Sequence, residues 1–144
     1  FSSNMKKILI IGCLLGGALT VRAQGTINVS FIKLASDEGQ VIVSLFNQDK
    51  GFPAEFEEAF RSEKVTVEGG QAKYTFEDVP WGEYAVTVMH DENGNGEIEK
   101  NFIGRPKEKV GIANLSGGLP SFKRAAFNLN ADRPRSEFNI EPFN

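Results

Sequence analysis

Tyr74-Thr75-Phe76-Glu77-Asp78-Val79-Pro80-Trp81-Gly82-Glu83-Tyr84-Ala85-Val86-Thr87-Val88-Met89-His90 is the stretch whose reading decides the fold. Pro80 fixes φ and Gly82 permits a left-handed backbone position, so together they can bend the chain into a tight corner. Beyond the corner Tyr84, Val86 and Val88 point one way and Ala85, Thr87 and Met89 the other, because side chains alternate along a strand. The stretch reads as strand, corner, strand.

The pattern formed by Phe76, Asp78, Val79, Pro80, Gly82, Tyr84 and Val86 is similar to the corner of transthyretin-like and carboxypeptidase-regulatory-like sandwich domains. That resemblance implies an all-β, Greek-key β-sandwich of about seven strands. It implies no particular task, since such sandwiches serve as carriers, adhesins, spacers and accessory domains.

Upstream of the corner the chain continues in the same style. Thr26 to Leu34 alternates Ile27, Val29 and Phe31 against Asn28 and Ser30, and Val41 to Phe46 is a nearly unbroken β-branched and aromatic run. They are predicted to be the first two strands, joined by the turn Ser36-Asp37-Glu38-Gly39. Phe52 to Arg61 breaks the rhythm: Pro53 can begin a helix, and Phe52, Phe56 and Phe60, spaced by four, would share one helical face. One short helix is predicted there. Lys64 to Glu68 and Ala72 to Glu77 then read as a hairpin, with Gly69-Gly70 supplying the positive φ angles of its turn.

The beginning of the chain sets an expectation about compartment. Residues 1–4 precede Met5 and read as an upstream remnant. Residues 5–23 read as a secretory signal: Lys6-Lys7, a 12-residue apolar run from Ile8 to Leu19, and small residues at the −3 and −1 positions of a cleavage after Ala23. The run is well short of the roughly 20 residues that span a bilayer. Ile10-Ile11-Gly12-Cys13 resembles a lipoprotein cleavage box, which keeps lipidation at Cys13 as an alternative.

Residues 24–144 are then one mature domain of 121 residues. Without Lys6, Lys7 and Arg22 the 16 basic side chains fall to 13 against 19 acidic, and the net charge moves from −3 to −6. Such a surface is unsuited to nucleic acid or anionic lipid. Cys13 is the only cysteine, so the mature domain must hold together without disulfides, and one core of this length can do so. The expected location is the periplasm, the outer surface or the medium. No membrane span is expected in the mature chain.

The chemistry-bearing stretch follows the corner strand directly: His90-Asp91-Glu92-Asn93-Gly94-Asn95-Gly96-Glu97-Ile98-Glu99. Against the EF-hand pattern, Asp91 falls at position 1, Asn93 at 3, Asn95 at 5, Gly96 at 6, the Glu97 carbonyl at 7 and Glu99 at 9. Alternate oxygen donors around a glycine turn are what Ca²⁺, with about six to eight oxygen ligands, requires. Position 12 departs from the pattern, since Phe102 stands where a bidentate glutamate would, and a strand precedes the loop instead of a helix. Glu108 or a water could complete the set. The competing readings are a long polar hairpin whose Asn and Gly residues merely tolerate left-handed angles, and, behind it, a metal other than Ca²⁺.

His90 is the only histidine. A catalytic role would need Ser116 or Ser121 beside it and an orienting acid. Asp91 should point to the opposite face, and no G-x-S-x-G elbow or phosphate-binding loop accompanies them. The expectation is a structural histidine at a strand end, and no enzyme. Trp81 and the aromatic-rich loops suggest the second function class, a small-ligand or saccharide carrier. From Phe102 to Phe122 an ordered loop is expected over one end of the sandwich, with an extended piece at Lys109 to Ile112. Phe122 to Leu129 should resume as a strand, and Glu137 to Ile140 should form a final edge strand.

Several motifs in order carry a wider resemblance: His90 to Glu99, then Asn101-Phe102-Ile103-Gly104-Arg105-Pro106-Lys107-Glu108, Gly111-Ile112-Ala113-Asn114, and Pro120-Ser121-Phe122-Lys123-Arg124-Ala125-Ala126-Phe127. Over residues 26–131 the chain is identified as resembling an uncharacterised family of exported bacterial proteins, domain of unknown function twenty-one forty-one. Similar members carry H-D-x-N-x-N-G at His90 to Gly96, an acid at Glu99 and P-K-E at Pro106 to Glu108. Arg105 and Ala113 depart mildly. The resemblance implies an exported sandwich and no activity. The expected protein is thus an exported β-sandwich that binds a cell-surface or protein partner or serves structurally. Its Ca²⁺ would lie in the loop of Asp91, Asn93, Asn95, Glu97 and Glu99.

Overall fold

The computed structural model describes residues 24–94, 109–115 and 117–143. Among them eight strands form two sheets. β1 (Gln24–Phe31) lies between β4 (Ala72–Pro80), antiparallel to it, and β8 (Arg135–Ile140), parallel to it. In the second sheet β3 (Arg61–Thr66), β2 (Gln40–Phe46), β5 (Gly82–Asp91) and β6 (Lys109–Ile112) follow one another, every pair antiparallel. The short β7 (Phe127–Leu129) pairs with the first residues of β5.

Strand alternation delivers one core between the sheets. Ile27, Val29 and Phe31 of β1 and Phe76 and Val79 of β4 meet Val41, Val43 and Leu45 of β2 and Tyr84, Val86 and Val88 of β5. The corner at Pro80-Trp81-Gly82 carries the chain from one sheet to the other, but Gly82 does not take the left-handed position expected of it; the left-handed residue beside the corner is Asp78, at φ 55°. The corner is fastened by the Tyr84 hydroxyl, which donates to the Pro80 carbonyl at 2.7 Å, a tyrosine corner of the kind that recurs in sandwiches.

The five-stranded sheet is buried on its other face as well. Ile42, Ser44 and Phe46 of β2 and Ala85, Thr87 and Met89 of β5 point away from the core, yet all are buried. Pro53, Ala54 and Phe56 lie beside Ile42, Ser44, Thr87 and Met89. The Phe52 ring meets Phe46 edge-on at 5.4 Å and Phe122 at 6.2 Å. This second cover explains why residues 41–46 are almost continuously apolar, as strands buried on both faces are. The outer face of the three-stranded sheet is polar, and there the Thr75 hydroxyl donates to Asn28 Oδ1 at 2.7 Å.

Three further expectations need correction. The helix over 52–61 is a single 3₁₀ turn, Phe56–Glu58. Phe52 and Phe56 drop onto the sheet at separate places while Phe60 stays 43% exposed, so burying individual rings overrides a helical spacing. The strand expected over 122–129 begins instead as α1 (Phe122–Ala125), because the Ser121 hydroxyl accepts from the Arg124 N–H at 3.2 Å as an N-cap.

The hairpin of 64–77 keeps its turn but loses its pairing. Glu68 and Gln71 bridge across Gly69 and Gly70, at φ 60° and 74°. Beyond that bridge β3 pairs with β2 and β4 with β1, so the turn links the two sheets. The expected strands at 26–34, 41–46 and 137–140 and the extended piece at 109–112 correspond to β1, β2, β8 and β6.

Burial pushes the Tyr84 phenol above its ordinary pKa of 10.0, and the Arg61 guanidinium opposes that shift. Stability tied to the protonated phenol is therefore complete below pH 10 and lost as pH rises through the raised folded value. Tyr84→Phe should lower the urea midpoint by an amount worth about 1 kcal/mol at neutral pH, with the m-value unchanged. It should also flatten the alkaline decline, and chemical denaturation at neutral and alkaline pH measures both effects.

Candidate functional site

The candidate loop leaves from the end of β5, where the sheet geometry sends successive side chains to opposite sides. His90 and Asp91 are both completely buried. His90 points inward, following Val86 and Val88, and its Nε2–H donates to the Glu38 carbonyl at 2.6 Å. Asp91 points to the other side, where Gln40 Nε2 donates to its Oδ2 at 3.4 Å. Both partners belong to the residue 38–40 region, which pairs beside this end of β5 through the Gln40–Asp91 and Val41–His90 register.

That region is itself held in place. The Asp37 carboxylate accepts from the Gly69 and Gly70 N–H groups at 3.0 and 2.7 Å, and the Leu34 N–H donates to the Gly70 carbonyl at 2.8 Å. The connection expected as a simple turn from β1 to β2 is thus a strap across one end of the sandwich, tied to the turn between β3 and β4. Gly39, at φ +70°, is its closest approach to the loop. A Cβ there would run into the carbonyl oxygens of Asp91 and Glu92.

After Asp91 the chain turns at once: the Gly94 N–H donates to the Asp91 carbonyl at 3.3 Å, and Gly94 takes a φ of +70°. Of the five expected ligands the structure describes Asp91 and Asn93. Asn95, Glu97 and Glu99, like Glu108, lie outside the described residues. Asp91 is at the root of the loop, buried, and Asn93 is exposed in the turn. Among the described residues no group of three or more His, Cys, Asp or Glu side chains is arranged to hold a metal ion.

The remaining candidates separate clearly. Asp91 and His90 face opposite sides of β5 and bind different partners, so they do not form an acid–histidine pair. Ser121 caps α1, whose Phe122 and Ala125 pack with Ala85 on the outer face, five residues or about 17 Å along β5 from His90. Ser116 lies outside the described residues. Trp81 is half-buried against the core. Two open grooves, one of about 600 Å³ beside Lys64, Val65 and Tyr74 and one of about 440 Å³ beside Leu115, Phe138 and Phe143, contain none of the residues of the Asp91–Gly94 turn.

Sequence reasoning missed Glu38 and Gln40, the two residues that fix the polar pair. They lie 52 and 51 positions away from their partners, and only the alignment of β2 with β5 brings them near. The strap makes a direct prediction for chemical denaturation. Gly94→Ala, whose Cβ meets no atom within 4 Å but sits at φ +70°, should cost about 1 kcal/mol. Gly39→Ala should cost at least about 1 kcal/mol more, because the carbonyls in its way are backbone and cannot rotate aside.

Among the described residues no helix is long and apolar enough to cross a membrane. No curated protein and no solved structure matches the chain. A family model described as an uncharacterized protein conserved in bacteria matches residues 29–136, from within β1 into β8. With three quarters of its length matched, the chain belongs to that bacterial family, domain of unknown function twenty-one forty-one (DUF2141).

Proposed function

We propose that the protein is an exported bacterial β-sandwich serving as a binding or structural module without catalytic activity, and that Ca²⁺ in the Asp91 to Glu99 loop stabilises it. The carrying observation is the Asp91 carboxylate, completely buried at the root of a loop rich in oxygen donors. A carboxylate removed from water is costly unless paired, hydrogen-bonded or bound to a metal. Gln40 Nε2 donates to one of the Asp91 oxygens at 3.4 Å, and a hard cation bound in the loop would add to the interactions that hold this charge in place.

In this reading Asp91, Asn93, Asn95 and Glu99 give side-chain oxygens and Glu97 a backbone carbonyl, while Gly94 and Gly96 let the chain curl. Two neutral Asn donors make the affinity modest. The ion would tie the loop to the strap of residues 32–39 through Asp91 and Gln40, stiffening one end of the domain for contact with a cell-surface or protein partner. The carrier alternative has less support, since Trp81 packs against the core.

Calorimetric titration of chelator-treated residues 24–144 with Ca²⁺, with melting curves in parallel, tests the reading. This segment contains every buried core residue described, from Ile27 to Ile140. Saturable one-site binding is expected, with a melting temperature that rises with free Ca²⁺ as mass action requires; at 100 times Kd the gain is about 2.7 kcal/mol. Asp91→Asn should lower stability in chelator and also remove most of the Ca²⁺-dependent rise. No heat and an identical melting curve with and without Ca²⁺ would refute the ion.

A further inference from the structure

A strand at the edge of a sheet offers its unpaired N–H and C=O groups to any further strand unless something blunts it. β6 is covered by the end of the chain, whose Phe143 N–H donates to the Val110 carbonyl at 2.9 Å. β4 is interrupted by a bulge opposite Gly25 to Ile27 and by left-handed Asp78. On β3 the basic side chain is already engaged, since the Arg61 guanidinium donates to the Glu77 carbonyl at 2.7 Å and lies over the Phe76 ring at 5.4 Å. β8 differs from these. It follows β1 in unbroken register from the Thr26–Arg135 pair to the Phe31–Ile140 pair, with its other side at the rim of the sheet.

The backbone of β8 shows which residues face that rim. The Thr26 N–H donates to the Pro134 carbonyl at 3.0 Å and the Ile32 N–H to the Ile140 carbonyl at 2.9 Å. Successive residues of a strand turn their backbone groups to alternate sides, so Ser136 and Phe138 also face β1, while Arg135, Glu137 and Asn139 turn outward. Those three side chains are exposed. Along this side of the sandwich runs the open groove of about 440 Å³ that Phe138, Leu115 and Phe143 line.

We infer that a second copy of this chain pairs on that edge, β8 against β8 and antiparallel, about a twofold axis at Ser136. The order of charge along the strand selects both occupant and register. Arg135 precedes Glu137, so a copy centred on Ser136 sets each Arg135 opposite Glu137 of the other copy, and each such pair exchanges both of its N–H···O bonds. It also lays Pro134 of the second copy against half-buried Phe138. Opposite charges directly across a ladder stabilise it and like charges oppose it. Centring on Glu137 would oppose two carboxylates. Centring on Phe138 would need Glu141 for Arg135, and the Glu141 carboxylate already pairs with Lys33 at 2.7 Å.

The interface is isologous, the same strand serving on both sides, and it joins the two three-stranded sheets into one. One strand from each copy buries less than the roughly 800 Å² per partner of a standard interface, so the dimer belongs to the weak, exchanging class. The inference uses no residue of the Asp91 loop and does not depend on the calcium reading.

Sedimentation equilibrium of residues 24–144 over a concentration series, in chelator, should show monomer and dimer in exchange. Arg135→Glu and Glu137→Arg each change an exposed side chain, so both variants should melt as the unchanged chain does. Each sets like charges opposite one another and should raise the dimer Kd at least about tenfold. Mixed one to one, they set carboxylates against guanidiniums at both pairs and should form a mixed dimer at least as tight as that of the unchanged chain. The double variant Arg135→Glu/Glu137→Arg exchanges the two charges and should dimerise as the unchanged chain does. A chain that stays monomeric up to about 1 mM, single variants that dimerise undiminished, or folded variants that stay monomeric when mixed would each overturn the inference. Dimerisation in chelator without any Ca²⁺ binding would uphold it and overturn only the calcium reading.

Discussion

β5 is the strand on which the rest of the structure depends. It pairs with β2 along its length, with β6 at its end and with β7 at its beginning, and from Tyr84 to Asp91 it is buried on both faces. A strand in that position has no side free for polar groups, so each polar residue on it must find a fixed partner. Thr87 and His90 sit on opposite faces, under the outer cover and at the end of the core. Asp91, the last residue of the strand, is buried with them. Burial at the end of β5 therefore gives the donor-rich loop a rigid root.

The same constraint organises the covering segments. The outward faces of β2 and β5 are buried as well as the inward ones, under residues 52–56 and α1, with Phe52 between Phe46 and Phe122. Among the described residues the opposite sheet has no such cover, and it presents hydroxyls, amides and charges. Its edge strand β4 carries exposed Lys73, Glu77 and Asp78, and β3 at the edge of the covered sheet carries exposed Glu63 and Lys64. Charges of this sort discourage edge-to-edge pairing.

Much of this was legible in the sequence, because it rests on local rules. Strand alternation revealed β1 and β5, Pro80 and Gly82 revealed the corner between β4 and β5, and the β-branched and aromatic run of residues 41–46 revealed β2. What was not legible rests on long-range pairing. Gly69-Gly70 looks like a hairpin turn because its local geometry is one, yet the strands on either side part company after a single bridge. The Phe52, Phe56 and Phe60 spacing imitates a helix because three rings must reach three different surfaces. At the site, alternation foretold that Asp91 would face away from His90, but nothing near them in sequence names Gln40 or Glu38. Pro120-Ser121 before Phe122 was a cap signal that strand-like composition obscured.

The central claim is that an ion acts at the end of β5, through the buried Asp91 and the strap beside it, rather than on the sandwich as a whole. Residue-resolved hydrogen exchange of chelator-treated protein, repeated in saturating Ca²⁺, reads that location directly. Exchange should slow selectively at the Asp91–Gly94 amides and at Glu38 to Gln40, with the amides of β1 and β4 unchanged. Equal rates with and without Ca²⁺ at Asp91 to Gly94, or slowing spread evenly over both sheets, would contradict the claim.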